Sequence, residues 1–244
     1  MRRLLAIVLL VPLAACGGEG GAGAHGELTV LAAASLTDVF EELATPFESE
    51  HGVDVRFSFG SSTDLAEQVA DGAPGDVLAT ADEASMSLAE DAGAAREAVT
   101  FATNVLTIVV PEGNPAGIAS LADLADATWV RCADEAPCGK VAQAVLEAEG
   151  VTAEPVSLEE DVRATLDKVL SGEADAGLVY ATDAVAAADD VDAVEIPGAD
   201  EVPTSYLAAT LEQSEHPELA ADWLAWVTSE EGRTILHDAG FGTP

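Results

Sequence analysis

The chain alternates between two rhythms of apolar and polar positions. LTVLAA (Leu28 to Ala33) is continuously apolar or small, as in a buried strand, and from Ser35 onward Val39, Phe40, Leu43 and Phe47 recur at the spacing of one helical face. The change repeats along the chain. VDVRFSF (Val53 to Phe59) precedes a helix carrying Leu65 and Val69, and DVLAT (Asp76 to Thr80) precedes a helix over Asp82 to Glu90. NVLTIVVP (Asn104 to Pro111) is the most apolar run of the body and predicts a buried strand.

A second series follows. It comprises a short helix SLADLAD with Ser120 as N-cap, the strand TWVRCA, a helix ending at Gly150 and another ending at Gly172. Then come the strand AGLVYA, an Ala-rich helix from Asp183, and the strands DAVEIP and TSYLAAT. Two helices close the chain, one with Leu219, Trp223 and Val227, the other over Ser229 to Asp238. Alternation of this kind predicts an α/β protein with parallel sheets covered by helices.

The first residues follow a different logic. Arg2 and Arg3 precede twelve apolar or small residues, Leu4 to Ala15, too short a run to span a bilayer, and this is the form of an export signal over residues 1–15. LAAC resembles the lipobox of bacterial lipoproteins, which implies cleavage before Cys16 and lipid attachment to it. An unmodified internal cysteine is the alternative. GGEGGAGAHG (Gly17 to Gly26) has the composition of a flexible tether with an r.m.s. reach of roughly 17 Å. The folded body then begins at Glu27, and 49% hydrophobic content in 244 residues suffices for one large or two ordinary cores.

Loss of Arg2 and Arg3 moves the formal net charge from −36 to −38, seven basic residues against 45 acidic ones. So acidic a molecule repels nucleic acid and anionic membranes, and membrane attachment is expected through the N-terminal lipid alone. Two cysteines remain, Cys132 and Cys138 in RCADEAPCG. In an exported protein they are expected to form a disulfide closing a short loop, worth about 2 kcal/mol, with a metal site as the competing reading. No G-x-S-x-G, P-loop or H-E-x-x-H motif occurs, and His25, His51, His216 and His237 sit in the tether or in polar surroundings, so no enzyme is expected.

Four junctions share one design, a strand or loop ending on small or hydroxyl residues where a helix begins. They are AAAS-LTD at Ser35, FGSS-TDL at Ser61 and Ser62, APC-GKV at Cys138 and SLEED-VRA at Val162. Each helix start offers unpaired N–H groups and about half a positive charge, so their convergence would make an oxyanion site without a cationic side chain. Ser35 and Ser62 as plain N-caps, Tyr180 as a core aromatic and Val162 as packing are the alternatives.

The segments AAASLTD, FGSSTDLAEQVADGAPGDVLATAD, EDVRATL and GLVYATDA, in this order and with the ending AGFGTP, resemble the periplasmic molybdate-binding proteins of ABC importers over Glu27 to Gly242. The resemblance implies a two-lobed, type II periplasmic-binding fold, each lobe a mostly parallel sheet flanked by helices, with a tetrahedral oxyanion in the cleft. By position it implies hydroxyl ligands at Ser35, Ser62 and Tyr180 and backbone N–H ligands at Cys138 and Val162. Lobe one would comprise Glu27 to Thr103 and Ser205 to Pro244, lobe two Asn104 to Thr204, with two hinge crossings between them.

The implied function is capture of molybdate or tungstate outside the cytoplasm by a lipid-anchored monomer that delivers it to the permease subunits of the importer. No cofactor is implied beyond the bound anion. A receptor for sulfate or another oxyanion, a serine hydrolase and a ligand-free adhesin are the competing functions. Arg56, Lys140 and Arg163 are expected to pair with acids, and Asp38 and Asp64 to face away from the site. Neutral donors then hold the charge, and a donor-only site prefers an anion that carries no proton.

Overall fold

The computed structural model describes residues 26–244. The export signal, Cys16 and nearly all of the tether therefore lie outside the described residues. Among the described residues there are ten strands, β1 (Gly26–Ala33), β2 (Val53–Gly60), β3 (Val77–Thr80), β4 (Val99–Asn104), β5 (Leu106–Pro111), β6 (Trp129–Cys132), β7 (Ser157–Glu159), β8 (Ala176–Tyr180), β9 (Val191–Val194) and β10 (Thr204–Thr210). The α-helices are α1 (Thr37–His51), α2 (Ser62–Ala70), α3 (Glu83–Asp91), α4 (Pro137–Ala148), α5 (Val162–Leu170), α6 (Ala181–Ala186), α7 (Pro217–Val227) and α8 (Glu230–Asp238).

The strands form two five-stranded sheets, ordered β2-β1-β3-β10-β4 and β7-β6-β8-β5-β9. The expectation of mostly parallel sheets is met, and the structure shows which strands depart from it. β1 pairs in parallel with β2 and β3, and β6 with β7 and β8, but β10 runs against β3 and β4, and β5 runs against β8 and β9. Each sheet thus contains one reversed strand, and these are the strands with which the chain enters a sheet from the other one. Periodicity does not carry direction, so the reversal was not legible in the pattern.

Apolar side chains fill three clusters. Phe40, Leu43, Phe47, Trp223, Val227 and Leu236 cover one face of the first sheet, while Leu65, Val69, Met86 and Ala89 cover the other. Along β1 the pleat sends Leu28, Val30 and Ala32 to the first of these clusters and Leu31 to the second, which is why that strand is apolar throughout. Trp223 meets Phe40 and Phe47 edge-on, with ring centroids 5.6 and 5.1 Å away. The second sheet has its own core around Trp129, Val130, Leu166, Leu178 and Val179.

Three local expectations differ from the structure. The run from Asn104 to Pro111 is two strands, because β4 ends at Asn104 in the first sheet and β5 begins at Leu106 in the second. β4 and β7 were not read from the sequence: β7 is a three-residue edge strand, and VTFATN carries little periodicity. SLADLAD forms a 3-10 turn over Leu121–Asp126, and Ser120 makes no side-chain cap; its hydroxyl donates to Asp123 Oδ2 at 3.0 Å.

Candidate functional site

Parallel strands deliver their C-terminal ends to one side of a sheet, and the cleft lies there. β1 ends at Ala33 and is followed by a 3-10 turn, Ala34–Leu36, that leads into α1; β2 ends at Gly60 and α2 begins at Ser62. From the second sheet β6 leads to α4, β7 to α5, and β8 ends at Tyr180. These ends face one another around a single small cavity. Ala33, Ala34 and Ser35, Gly60 to Ser62 and Ala81 line it from the first sheet, and Ala136 to Cys138, Asp161, Val162 and Tyr180 from the second.

All five residues nominated from the sequence, Ser35, Ser62, Cys138, Val162 and Tyr180, thus stand in the wall of one cavity. Three of the helix starts have no side chain spent on them: neither the Ala34–Leu36 turn, nor α2, nor α4 has a side-chain cap. Ser62 is the first residue of α2 rather than its cap, and Ser61, at the cap position, makes no cap bond. By contrast Asp82 caps α3 through Ser85 N at 2.9 Å, and Ser229 caps α8 through Gly232 N at 3.0 Å. The reading of Ser35 and Ser62 as plain caps therefore fails.

In α4 the first helical bond runs from Lys140 N to Ala136 O at 3.0 Å, and Pro137 has no N–H. Cys138 and Gly139 are left with donors that have no acceptor inside the helix. α5 is different. Asp161 caps it, its Oδ1 accepting from Ala164 N at 2.9 Å, and the N–H groups of Val162 and Arg163 remain.

The hydroxyls of Ser62 and Tyr180 each have a proton with no acceptor in the protein. Ser62 Oγ accepts from Ala81 N at 2.9 Å, which leaves its own proton to place. Ser35 Oγ lies 2.7 Å from Tyr206 Oη. Tyr180 Oη is buried with no hydrogen-bond partner; Thr204 is a polar neighbour but falls short of hydrogen-bond geometry. Burial, and then the neighbouring Tyr206, Asp82 and Asp183, push this phenol well above its ordinary value, so it stays a protonated donor.

No Lys, Arg or His lines the cavity. Arg56 pairs with Glu27 at 3.2 Å, Lys140 with Asp82 at 2.7 Å, and Arg163 with Asp38 and, at 3.4 Å, with buried Asp183. Asp38 and Asp64 are exposed and outside the cavity wall. Cys132 and Cys138 are joined by a disulfide with Cα atoms 5.7 Å apart, which ties the end of β6 to the first turn of α4. Among the described residues no cluster of His, Cys, Asp and Glu could hold a metal ion.

Sequence reasoning missed Tyr206, Asn104, Asp161 and Asp183. Asp161 carried the one usable signal, an acid just before a helical run. The other three stand in strand or helix patterns that read as core.

Residues 28–242 match the family model described as bacterial extracellular solute-binding protein. The chain belongs to that family. It is 38% identical over 252 residues to the molybdate-binding protein ModA of Mycobacterium tuberculosis, covering 99% of this chain and 97% of that protein. It also resembles ModA of Escherichia coli, at 37% identity over 66% of this chain and 68% of that protein. The fold of the Azotobacter vinelandii periplasmic molybdate-binding protein superposes with a TM-score of 0.79, at 23% identity, over 89% of this chain and 99% of that one. As members of an extracellular family, such chains work outside the cytoplasm. No helix among the described residues is long and apolar enough to cross a membrane.

Proposed function

We propose that this protein captures molybdate, and with it tungstate, between its two sheets and hands the anion to the permease of an ABC importer. The observation that carries this is the donor set. Hydroxyls of Ser35, Ser62 and Tyr180 and the free N–H groups beside Cys138 and Val162 converge on one cavity, with every nearby cation already paired to an acid. A site that offers neutral donors from several chain turns suits a fully ionised oxyanion. The relatives named for molybdate point the same way.

The two sheets with their helices then act as lobes, and the crossings at Val105 and before Thr204 act as the hinge. On this reading no catalytic step is involved: Ser35 is bonded to a tyrosine and Ser62 to a backbone N–H, and neither has a general base. The export signal and a lipid on Cys16 would hold the monomer at the outer face of the membrane, within reach of the permease.

Calorimetric titration with molybdate, tungstate, sulfate and phosphate tests the proposal. Molybdate and tungstate should bind at micromolar Kd or tighter, about −8 kcal/mol or beyond. Preference for sulfate would reassign the cargo, and silence toward all four anions would overturn the reading. Ser62→Ala should weaken molybdate by at least about 1 kcal/mol with the fold intact.

A further inference from the structure

Ser35 is the one cavity hydroxyl with a chain of side-chain hydrogen bonds behind it. Asn104 closes β4 where the chain leaves the first sheet, and its Oδ1 accepts from Val105 N at 3.0 Å. That bond fixes which way the amide is turned, and Nδ2 has two protons to place. One goes to Thr182 Oγ1 at 2.7 Å, on α6 of the other sheet, and the other to Tyr206 Oη at 3.3 Å. Tyr206 Oη is therefore an acceptor on that side. Its own proton cannot go to an amide nitrogen, and Ser35 Oγ, 2.7 Å away, is the acceptor within reach. The Tyr206 ring is fully buried, where an unplaced O–H proton is costly. Once Ser35 Oγ accepts from Tyr206, the serine proton turns toward the cavity.

We propose that Tyr206, oriented by Asn104, is a positioning and selectivity residue that locks Ser35 as a donor and thereby makes the site refuse anions carrying a proton. The inference rests on the oxyanion reading above. A fully ionised tetrahedral anion presents acceptors only, and a locked donor suits it. Hydrogen phosphate brings an O–H that needs an acceptor, and Ser35 could supply one only by rotating, which the bond from Tyr206 opposes. Ser62 is locked in the same sense by the Ala81 backbone, which a side-chain substitution leaves in place. Tyr206 is thus the half of the arrangement that mutation can release. Because Asn104 also holds Thr182, the lock is anchored on both sheets at the crossing between them.

The test is calorimetric titration of the wild type, Tyr206→Phe and Asn104→Asp with molybdate, and phosphate competition against bound molybdate at mildly alkaline pH. Tyr206→Phe should weaken molybdate about tenfold, as for loss of a hydrogen bond on the path to a charged ligand, and should narrow the molybdate-to-phosphate preference further. Asn104→Asp keeps the size of the side chain but accepts the Tyr206 proton, turning it away from Ser35, so the same two changes are expected. A purely structural role would weaken both anions alike. An unchanged molybdate-to-phosphate ratio in both variants, or unaltered molybdate affinity, overturns the proposal; if one variant does not fold, the other decides. A wild type that binds no oxyanion overturns the parent reading and this inference with it, whereas a binding wild type with unaffected variants overturns this inference alone.

Discussion

Tyr180 is buried to the last atom of its hydroxyl, yet that hydroxyl has no partner within the protein. A packing role explains the ring and leaves the oxygen unexplained, since a buried unsatisfied O–H costs about 1 to 3 kcal/mol. Tyr180→Phe should therefore move two quantities in opposite senses: thermal unfolding of the ligand-free protein shifts up or stays level, while molybdate affinity measured by calorimetry falls by about 1.5 to 3 kcal/mol. Asp183 presents the complementary case of a buried acid. Burial raises its carboxyl from 3.8 to about 7, against the pull of Arg163 and the bond from Tyr180 N. A proton held more tightly by the folded than by the unfolded chain makes stability fall as pH rises between those two values. The cost of ionising the buried carboxyl is therefore absent in acid and grows as pH rises toward about 7. Denaturant unfolding of Asp183→Asn should thus match the wild type at the acid end of that window and exceed it by a margin that grows toward neutrality.

At the scale of elements, the sequence marked the helix starts around the cavity, because a small, hydroxyl or acidic residue before a 3.6-residue period is a local signal. It did not say which starts would be capped. α3, α5 and α8 use a side chain on their own N–H groups, while α2 and α4 leave theirs facing the cavity. Close approach is what holds α4 there. A Cβ on Gly139 would stand 1.8 Å from the carbonyl oxygen of Ala133, so a bulkier residue must lift the first turn off the β6 loop. Gly139→Ala is expected to cost about 1 to 3 kcal/mol in denaturant unfolding and to weaken molybdate as the Cys138 N–H moves away. Equal affinity for wild type and variant would remove the start of α4 from the site.

On the scale of the whole molecule, the chain carries 45 acidic residues and yet its cavity suits an anion. The two facts are compatible because the acids lie mostly on the surface and are screened, whereas the donors are in contact with the ligand. Their effect should therefore appear in the encounter and much less in the affinity. In stopped-flow measurements the molybdate association rate should rise by about two- to tenfold from about 0.01 M to about 0.15 M NaCl, as the screening length drops from roughly 30 Å to roughly 8 Å. A rate that falls with salt would mean that a positive patch steers the anion. Two ion pairs, Lys140 with Asp82 and Arg163 with Asp38, bridge the halves of the molecule beside the cavity, joined by a bond from Thr63 Oγ1 to Glu135 O at 2.8 Å. Half-exposed pairs of this kind contribute about 1 kcal/mol or less each, enough to bias closure without fixing it.

By itself the sequence determined the α/β class, the order of most elements and the acidic surface, because period and charge are local properties of the chain, and its resemblance to the molybdate-binding proteins nominated the five residues that meet in the cavity. Only the tertiary structure decided that one strand in each sheet runs in reverse, that Asn104 ends one sheet and not the other, and that Tyr206 stands behind Ser35, 171 residues away. Those outcomes depend on pairing between distant segments, and a residue such as Tyr206 looks the same in a strand pattern whether its hydroxyl meets solvent, a carbonyl or the one serine whose proton it directs.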